Sequence, residues 1–378
     1  MFLAACAGIF LFGIVLALLG TLFGLPEVRA RLRVNLGQQG DLFLILYFGV
    51  FLSSLVAGPL IDRMGNKLVL MVSALLVTAG LGGFAPAQSF GAAATCVALL
   101  GLGGGGLNIA ANVLVSDLYG ADRGPMLNAL GMFYAIGALG IPLLAASLST
   151  LLPIRGLLLC AAVLAALTTI AYSALRFPPA RQSKGFAMRD LLQVARYPGV
   201  ALLAAVLFFE AGNESSIGGW VSSFAGSLGV DATTATWVLA GFWAAMTAGR
   251  LLATWLLEHI GKTQLVLASA AGSVAGCALV FAARSIAGLA AGAALAGLCF
   301  AAVFPTTLGI AGDRYPQLSG TVFGLLFSVG LLGGMCFPWA IGHLGTWFGM
   351  RQGLLLPLAS ATLICALAAR IRSPGPHS

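Results

Sequence analysis

Apolar runs of about twenty residues, separated by a few polar positions, fill this chain almost from end to end. They fall at 2–24, 41–61, 67–84, 90–119, 124–152 and 154–175. After a polar connector they resume at 198–228, 232–257, 263–283, 286–311, 318–342 and 349–370. A helix crossing the hydrocarbon core of a bilayer needs roughly 20 apolar residues, so each run reads as one spanning helix. Strands of a membrane barrel would alternate polar and apolar over about ten residues, and no segment does so. The first run is longer than a signal h-region of about 7–15 residues. It is followed by Leu25-Pro26-Glu27 and not by a small-residue cleavage site, so it is expected to remain a membrane helix. The expected fold class is an all-α membrane protein with twelve transmembrane helices.

Composition supports this. Only 8% of the 378 residues are charged and 60% are hydrophobic, whereas a soluble domain is about a quarter charged. The 51 glycines suit helices that touch backbone to backbone. All seven cysteines fall inside apolar runs with no C-x-x-C spacing and read as small buried hydrophobes. No P-loop, metal-binding histidine cluster or nucleophile elbow is present, so neither an enzyme nor a bound cofactor or metal is expected. His259 and His343 sit at helix ends.

The net charge of +8 does not form a patch for nucleic acid; it lies in the connectors. Thirteen of the 19 Lys and Arg fall on the side that holds both termini, which the positive-inside rule makes cytoplasmic in a multi-pass cell-membrane protein. The other side holds Arg29, Arg31, Arg33, Arg155, Arg284 and Arg351, and the run from Arg29 to Arg33 opposes the rule locally.

Polar landmarks recur at an offset of 196 positions: Asp62 with Glu258, Gly65 with Gly261, Asp117 with Asp313, Gly137 with Gly333, and Pro142 with Pro338. Five matches at one offset indicate a duplication. The expected organisation is an amino-terminal six-helix bundle at 1–176, a connector at 177–197 and a carboxy-terminal bundle at 198–378. A short amphipathic surface helix is expected over 186–194. Two parallel six-helix repeats match the organisation of major facilitator transporters.

The loop after the second run reads Gly58-Pro59-Leu60-Ile61-Asp62-Arg63-Met64-Gly65-Asn66-Lys67 and resembles the G-x-x-x-D-R-x-G-x-K loop of the major facilitator superfamily. Gly65 permits a tight reversal, and Asp62 suits the amino end of a neighbouring helix. A plain basic loop would also satisfy the charge rule, but the degenerate second copy at Glu258 to Lys262 argues for more. The resemblance implies two six-helix bundles related by a pseudo-two-fold, with this loop latching them. Gly58, Asp62, Arg63, Gly65 and Lys67 are then the expected gating residues, with Asp117, Glu258 and Asp313 as the related positions.

An acid at the centre of a membrane helix is costly, about 2.5–3.5 kcal/mol on insertion scales, and is functional by default. The seventh run holds Glu210 and Glu214, one turn apart on one face with Asn213 beside them. Two carboxylates that close in a low-dielectric site cannot both carry charge cheaply, so one is expected to hold a proton at neutral pH. A hydrated polar patch is the alternative. Gly212, Gly218 and Gly219 invite a break in this helix. Trp220 suits stacking on a sugar ring or anchoring at the interface. Asn108 and Asn112, four apart in the fourth run, suit either hydroxyl binding or helix–helix contact. Tyr134 and Trp243 are candidate cavity aromatics.

Gly212, Glu214, Gly218 and Trp220 resemble the G-x-E-x-x-x-G-x-W pattern of the fucose–galactose–proton symporter branch. The stretch Gly37-Gln38-Gln39-Gly40-Asp41-Leu42-Phe43, with Gln39 as a substrate contact, resembles it as well. That branch carries an acid in its first helix and this chain does not, so proton coupling must use Glu210 or Glu214 or it does not occur. The resemblance implies a secondary active transporter of a small polar, sugar-like solute by proton symport. The expected partners are the solute, protons and the lipid bilayer, with no nucleic acid, and the protein is expected to act as a monomer. Efflux by proton antiport and a non-transporting sensor are the alternatives. The fifth run, with Gly131, Gly137, Gly140 and Pro142, only loosely resembles the antiporter motif.

Overall fold

The structure, a computed structural model, describes residues 1–120, 123–178, 194 and 196–371. The surface helix expected over 186–194 lies outside them apart from Val194. The regular structure of the described residues is helical. In chain order the helices are α1 (Phe2–Gly24), α2 (Pro26–Leu32), α3 (Leu36–Met64), α4 (Asn66–Phe84), α5 (Phe90–Tyr119), α6 (Arg123–Ser147) and α7 (Ile154–Ala174). Then follow α8 (Pro198–Ser227), α9 (Ala232–Leu256), α10 (Lys262–Ala282), α11 (Ile286–Arg314), α12 (Ser319–Phe348), α13 (Met350–Gly353) and α14 (Leu355–Ala368).

Among the described residues eleven spans are long and apolar enough to cross a membrane, with α13 and α14 together forming one. The twelfth, α9, has 25 residues, about 37 Å at 1.5 Å per residue. It is long enough to cross, but Thr233, Thr234, Thr236, Thr247, Arg250 and Thr254 lower its apolar character. Its start is fixed by Asp231, which accepts from the Thr234 backbone N–H at 3.0 Å and the Thr234 hydroxyl at 2.6 Å. The hydroxyl bond and then the backbone bond hold the Asp231 carboxyl below its usual range. This cap is therefore present above the ordinary carboxylate range and lost as pH falls through the lowered value.

Helix ends differ from the apolar runs where side chains intervene. α3 begins at Leu36 and not at 41, because Asn35 and Gln38 form a reciprocal capping box at 2.9 and 3.1 Å. The last span is interrupted at Leu354. Pro357, in the first turn of α14, has no N–H with which to continue the ladder.

The chain divides into two compact units, Met1–Gly185 with Asp231–Ala240, and Phe186–Val230 with Gly241–Ser378. In the first, α1 packs on α5 and α6, and α4 packs on α5 and α7. In the second, α8 packs on α11 and α12, and α10 packs on α11 and α14. These are the same pairings one repeat apart.

The offset of 196 holds at atomic detail. A Cβ on Gly101 would collide with the Leu46 carbonyl oxygen. A Cβ on Gly297 would stand 2.5 Å from that of Phe242, and both members are displaced by 196. A Cβ on Gly80 would stand 2.7 Å from the Leu100 side chain, and one on Gly276 would stand 2.8 Å from the Ala296 Cα, again at the same offset. Gly137 and Gly333, also 196 apart, lie against the Phe10 and Phe208 carbonyl oxygens, whose positions differ by 198, so this contact is shifted by two residues between the units. Small residues let backbones approach this closely.

Arginine capping repeats too. Arg155 Nε donates to the Ala85 carbonyl at the end of α4 at 3.1 Å. Arg351, 196 positions on, donates to the Phe281 and Ala283 carbonyls at the end of α10 at 2.6 and 2.7 Å. Basic groups satisfy the orphan carbonyls of a helix end and favour its negative pole. This gives a structural reason for arginines on the side that the charge rule leaves sparse.

Candidate functional site

Glu210, Asn213 and Glu214 lie on α8, which runs unbroken through Gly212, Gly218 and Gly219. The expected break is absent because two of the glycines receive aromatic rings. A Cβ on Gly212 would stand 2.6 Å from the Phe337 ring, and one on Gly218 would stand 3.1 Å from Trp243.

Glu210 is fully buried, and neither carboxyl oxygen has a hydrogen-bond partner among the described residues. It lies near Cys277 of α10 and Cys299 of α11. Glu214, one turn on, is half-buried and interacts electrostatically with Glu210. Asn213 is also fully buried. Its Oδ1 accepts from the Ser360 hydroxyl on α14, while its Nδ2 finds no acceptor among the described residues. Taking a charge out of water without a partner is costly, so this interior accommodates Glu210 best when it carries no charge.

Trp220 is fully buried and donates its indole N–H to the Pro338 carbonyl of α12 at 3.0 Å. In this structure it braces α8 against α12, a placement that neither sequence reading anticipated. Trp243 is buried, edge-on to Phe242 at 5.3 Å. In the first unit, Asn112 Nδ2 donates to the Asn108 carbonyl at 2.8 Å and to its Oδ1 at 3.0 Å. Both asparagines keep partial exposure. Tyr134 is half-buried with its ring 5.7 Å from Phe12. Gln39 is buried inside α3, with Nε2 3.5 Å from the Val34 carbonyl and Oε1 without a partner among the described residues.

The motif loop is built around Gly65, whose φ of 84° and ψ of 161° separate α3 from α4. Gly261, its repeat partner, has φ −69°. Gly65→Ala should therefore cost about 1–3 kcal/mol, while Gly261→Ala should be close to neutral. Thermal unfolding of the two purified variants checks this, and equal losses would contradict it. Gly58 has open space around it. Asp62 and Asp117 are half-buried, and Arg63 and Glu258 are exposed. Lys67 Nζ donates to the Ser173 and Leu175 carbonyls at the end of α7 at 2.6 and 2.9 Å. In the second unit, Lys262 pairs with Asp313 at 2.6 Å. That pair is exposed, so it adds little stability.

The model of the Major Facilitator Superfamily matches twice, over residues 2–212 and again over 203–378. The chain belongs to that superfamily. It is a multi-pass membrane protein of the two-bundle, twelve-helix major facilitator fold, and a transporter, not an enzyme.

Sodium-dependent glucose transporter 1A of Mus musculus is 25% identical over 88% of this major facilitator chain and 86% of its own length. Sodium-dependent glucose transporter 1 of Rattus norvegicus is 32% identical, but over only 35% of this chain and 27% of that protein. The E. coli fucose:proton symporter superposes with a TM-score of 0.66 at 20% identity, covering 99% of this chain and 98% of that one.

Sequence reasoning missed Ser360, Cys277 and Cys299 as neighbours of the α8 polar residues, and no short-range signal marks them. It also missed the Arg155–Arg351 correspondence, which the offset of 196 could have revealed.

Proposed function

We propose that this chain is a secondary active transporter that moves a small polar, sugar-like solute by proton symport, with Glu214 and Glu210 as the proton-coupling pair. The observation that carries the reading is the fully buried Glu210, unpaired among the described residues, one turn from a half-buried second acid. A proton carrier needs an acid that its surroundings accept when neutral, and a neighbour through which the proton arrives. Asn108, Asn112, Asn213, Trp220, Gln39, Tyr134 and Trp243 are the proposed solute contacts. The loop Gly58 to Lys67, with Asp117, Glu258 and Asp313, is the proposed gate. The proposed bundles span 1–176 and 198–378 with the connector at 177–197 between them, and the protein is proposed to act as a monomer in the cell membrane with both termini cytoplasmic. The likeness to a sodium-dependent glucose transporter and to a fucose:proton symporter supports a sugar-like solute.

The test is uptake in proteoliposomes against a panel of sugars under an imposed proton gradient, an imposed sodium gradient, or neither. A potential of 100 mV is worth about 2.3 kcal/mol per charge, which corresponds to about fifty-fold accumulation. Accumulation under the proton gradient alone is the expected result. Accumulation under sodium alone, or expulsion of solute against an inward proton gradient, would overturn proton symport.

A further inference from the structure

At one helix end the first unit concentrates more positive charge than its own carbonyls use. Arg155 Nε and Arg31 Nη1 both donate to the single Ala85 carbonyl, each at 3.1 Å. Arg31 Nε and Nη2 are buried and find no acceptor among the described residues. Burial, and after it the Arg155 charge, holds the Arg31 guanidinium below its usual basicity, with Glu27 of α2 opposing. Two cations and one acid leave this group net positive.

The repeat shows that helix capping does not require this arrangement. In the second unit Arg351 alone caps α10, using two of its nitrogens on two carbonyls. The position 196 residues after Arg31 is Ser227, whose hydroxyl donates to the Phe224 carbonyl at 2.6 Å. Arg31 is thus surplus to the duty that the two units share. Arg29 and Arg33 in the same short segment add to the local field, and Arg155 is exposed, so the group is open at one edge.

Guanidinium groups with spare N–H donors bind phosphate oxygens bidentately. α2 follows directly on the end of the spanning helix α1, and Arg155 stands in the first turn of the spanning helix α7. A basic cluster beside the end of a spanning helix meets lipid headgroups. We propose that Arg31 and Arg155 bind a phosphate oxyanion, supplied by the headgroup of an anionic lipid. The bound oxyanion supplies the acceptors that Arg31 lacks and relieves its repulsion with Arg155.

The test titrates the purified full chain in neutral detergent with phosphatidylglycerol, phosphatidylcholine or inorganic phosphate and follows thermal unfolding. Phosphatidylglycerol should raise the unfolding temperature and phosphatidylcholine should not. Arg31→Gln should raise the concentration for half-effect about tenfold, the loss of one good ionic contact. Arg33→Gln, which removes the same charge from an exposed neighbour but no donor from the site, should raise that concentration far less. An equal response to inorganic phosphate, lost in Arg31→Gln, would keep the site and replace the lipid by a free anion. No response to either, or an equal weakening by Arg33→Gln, overturns the site. Should Arg31→Gln not fold, phenylglyoxal labelling of the wild-type chain decides: phosphatidylglycerol or phosphate must protect Arg31 or Arg155, and unprotected arginines overturn the proposal.

Discussion

Glu210→Gln is expected to abolish accumulation driven by a proton gradient, from about fifty-fold to simple equilibration, while exchange of solute across equal concentrations continues. Glutamine keeps the size of the side chain and removes its ability to release a proton. Glu210 has no hydrogen bond among the described residues for the amide to break, so the variant should fold and reach the membrane like the parent. Glu214→Gln separates the two acids. If Glu214 only delivers the proton, its loss slows coupled uptake, whereas loss of Glu210 eliminates it. α1 contains no acid to substitute for either. If both single variants and the double variant still accumulate solute against its gradient, carboxylate coupling on α8 is wrong, and only the fold assignment survives.

The second large effect concerns the glycine contacts. Gly101→Ala and Gly297→Ala should each reduce stability by at least about 1–3 kcal/mol, the usual cost of overpacking. The atom in the way is a backbone oxygen and not a flexible side chain, so nothing local can yield. The two losses should be of similar size because the contact is the same in both units. Gly140→Ala and Gly241→Ala serve as the opposite case. A Cβ at either would meet nothing within 4 Å, and replacing glycine inside a helix is worth up to about 1 kcal/mol in the stabilising direction. Thermal unfolding and the yield of monodisperse protein read out all four. A neutral Gly297→Ala would show that the close approach is not needed.

The helices were legible because an apolar run of bilayer length leaves the backbone little choice but to bond within itself. The run at 90–119 and α5 coincide, as do 2–24 and α1. Ends were legible only where the polarity change and the cap coincide. At α3 they do not, since Asn35 and Gln38 extend the helix beyond its apolar run. The repeat offset was read from five polar landmarks, yet its strongest physical expression lies in glycine-to-carbonyl contacts that a single sequence does not display.

The candidate site was less legible. Glu210 and Glu214 stood out because charge in an apolar helix is expensive. For Trp220 the sequence offers a ligand contact or an interfacial anchor, and its N–H bond to Pro338 is a contact that neither reading contains. Whether a tryptophan in a glycine-rich helix faces outward or inward depends on the helix opposite, and α12 lies more than a hundred residues further along the chain. The same distance hid the contact between Asn213 and Ser360.

The backbone contacts of Gly101, Gly137, Gly297 and Gly333 carry a mechanical consequence. Helices separated by long side chains can slide, because rotamers absorb small displacements cheaply. Where a Cα rests on a carbonyl oxygen there is no such cushion, and a shift of a fraction of an ångström meets hard repulsion. Each unit is therefore stiff across α1–α6 and α3–α5, and likewise across α8–α12 and α9–α11. A force applied at one end of any of these helices is passed to its neighbour as displacement of the pair and is not dissipated between them.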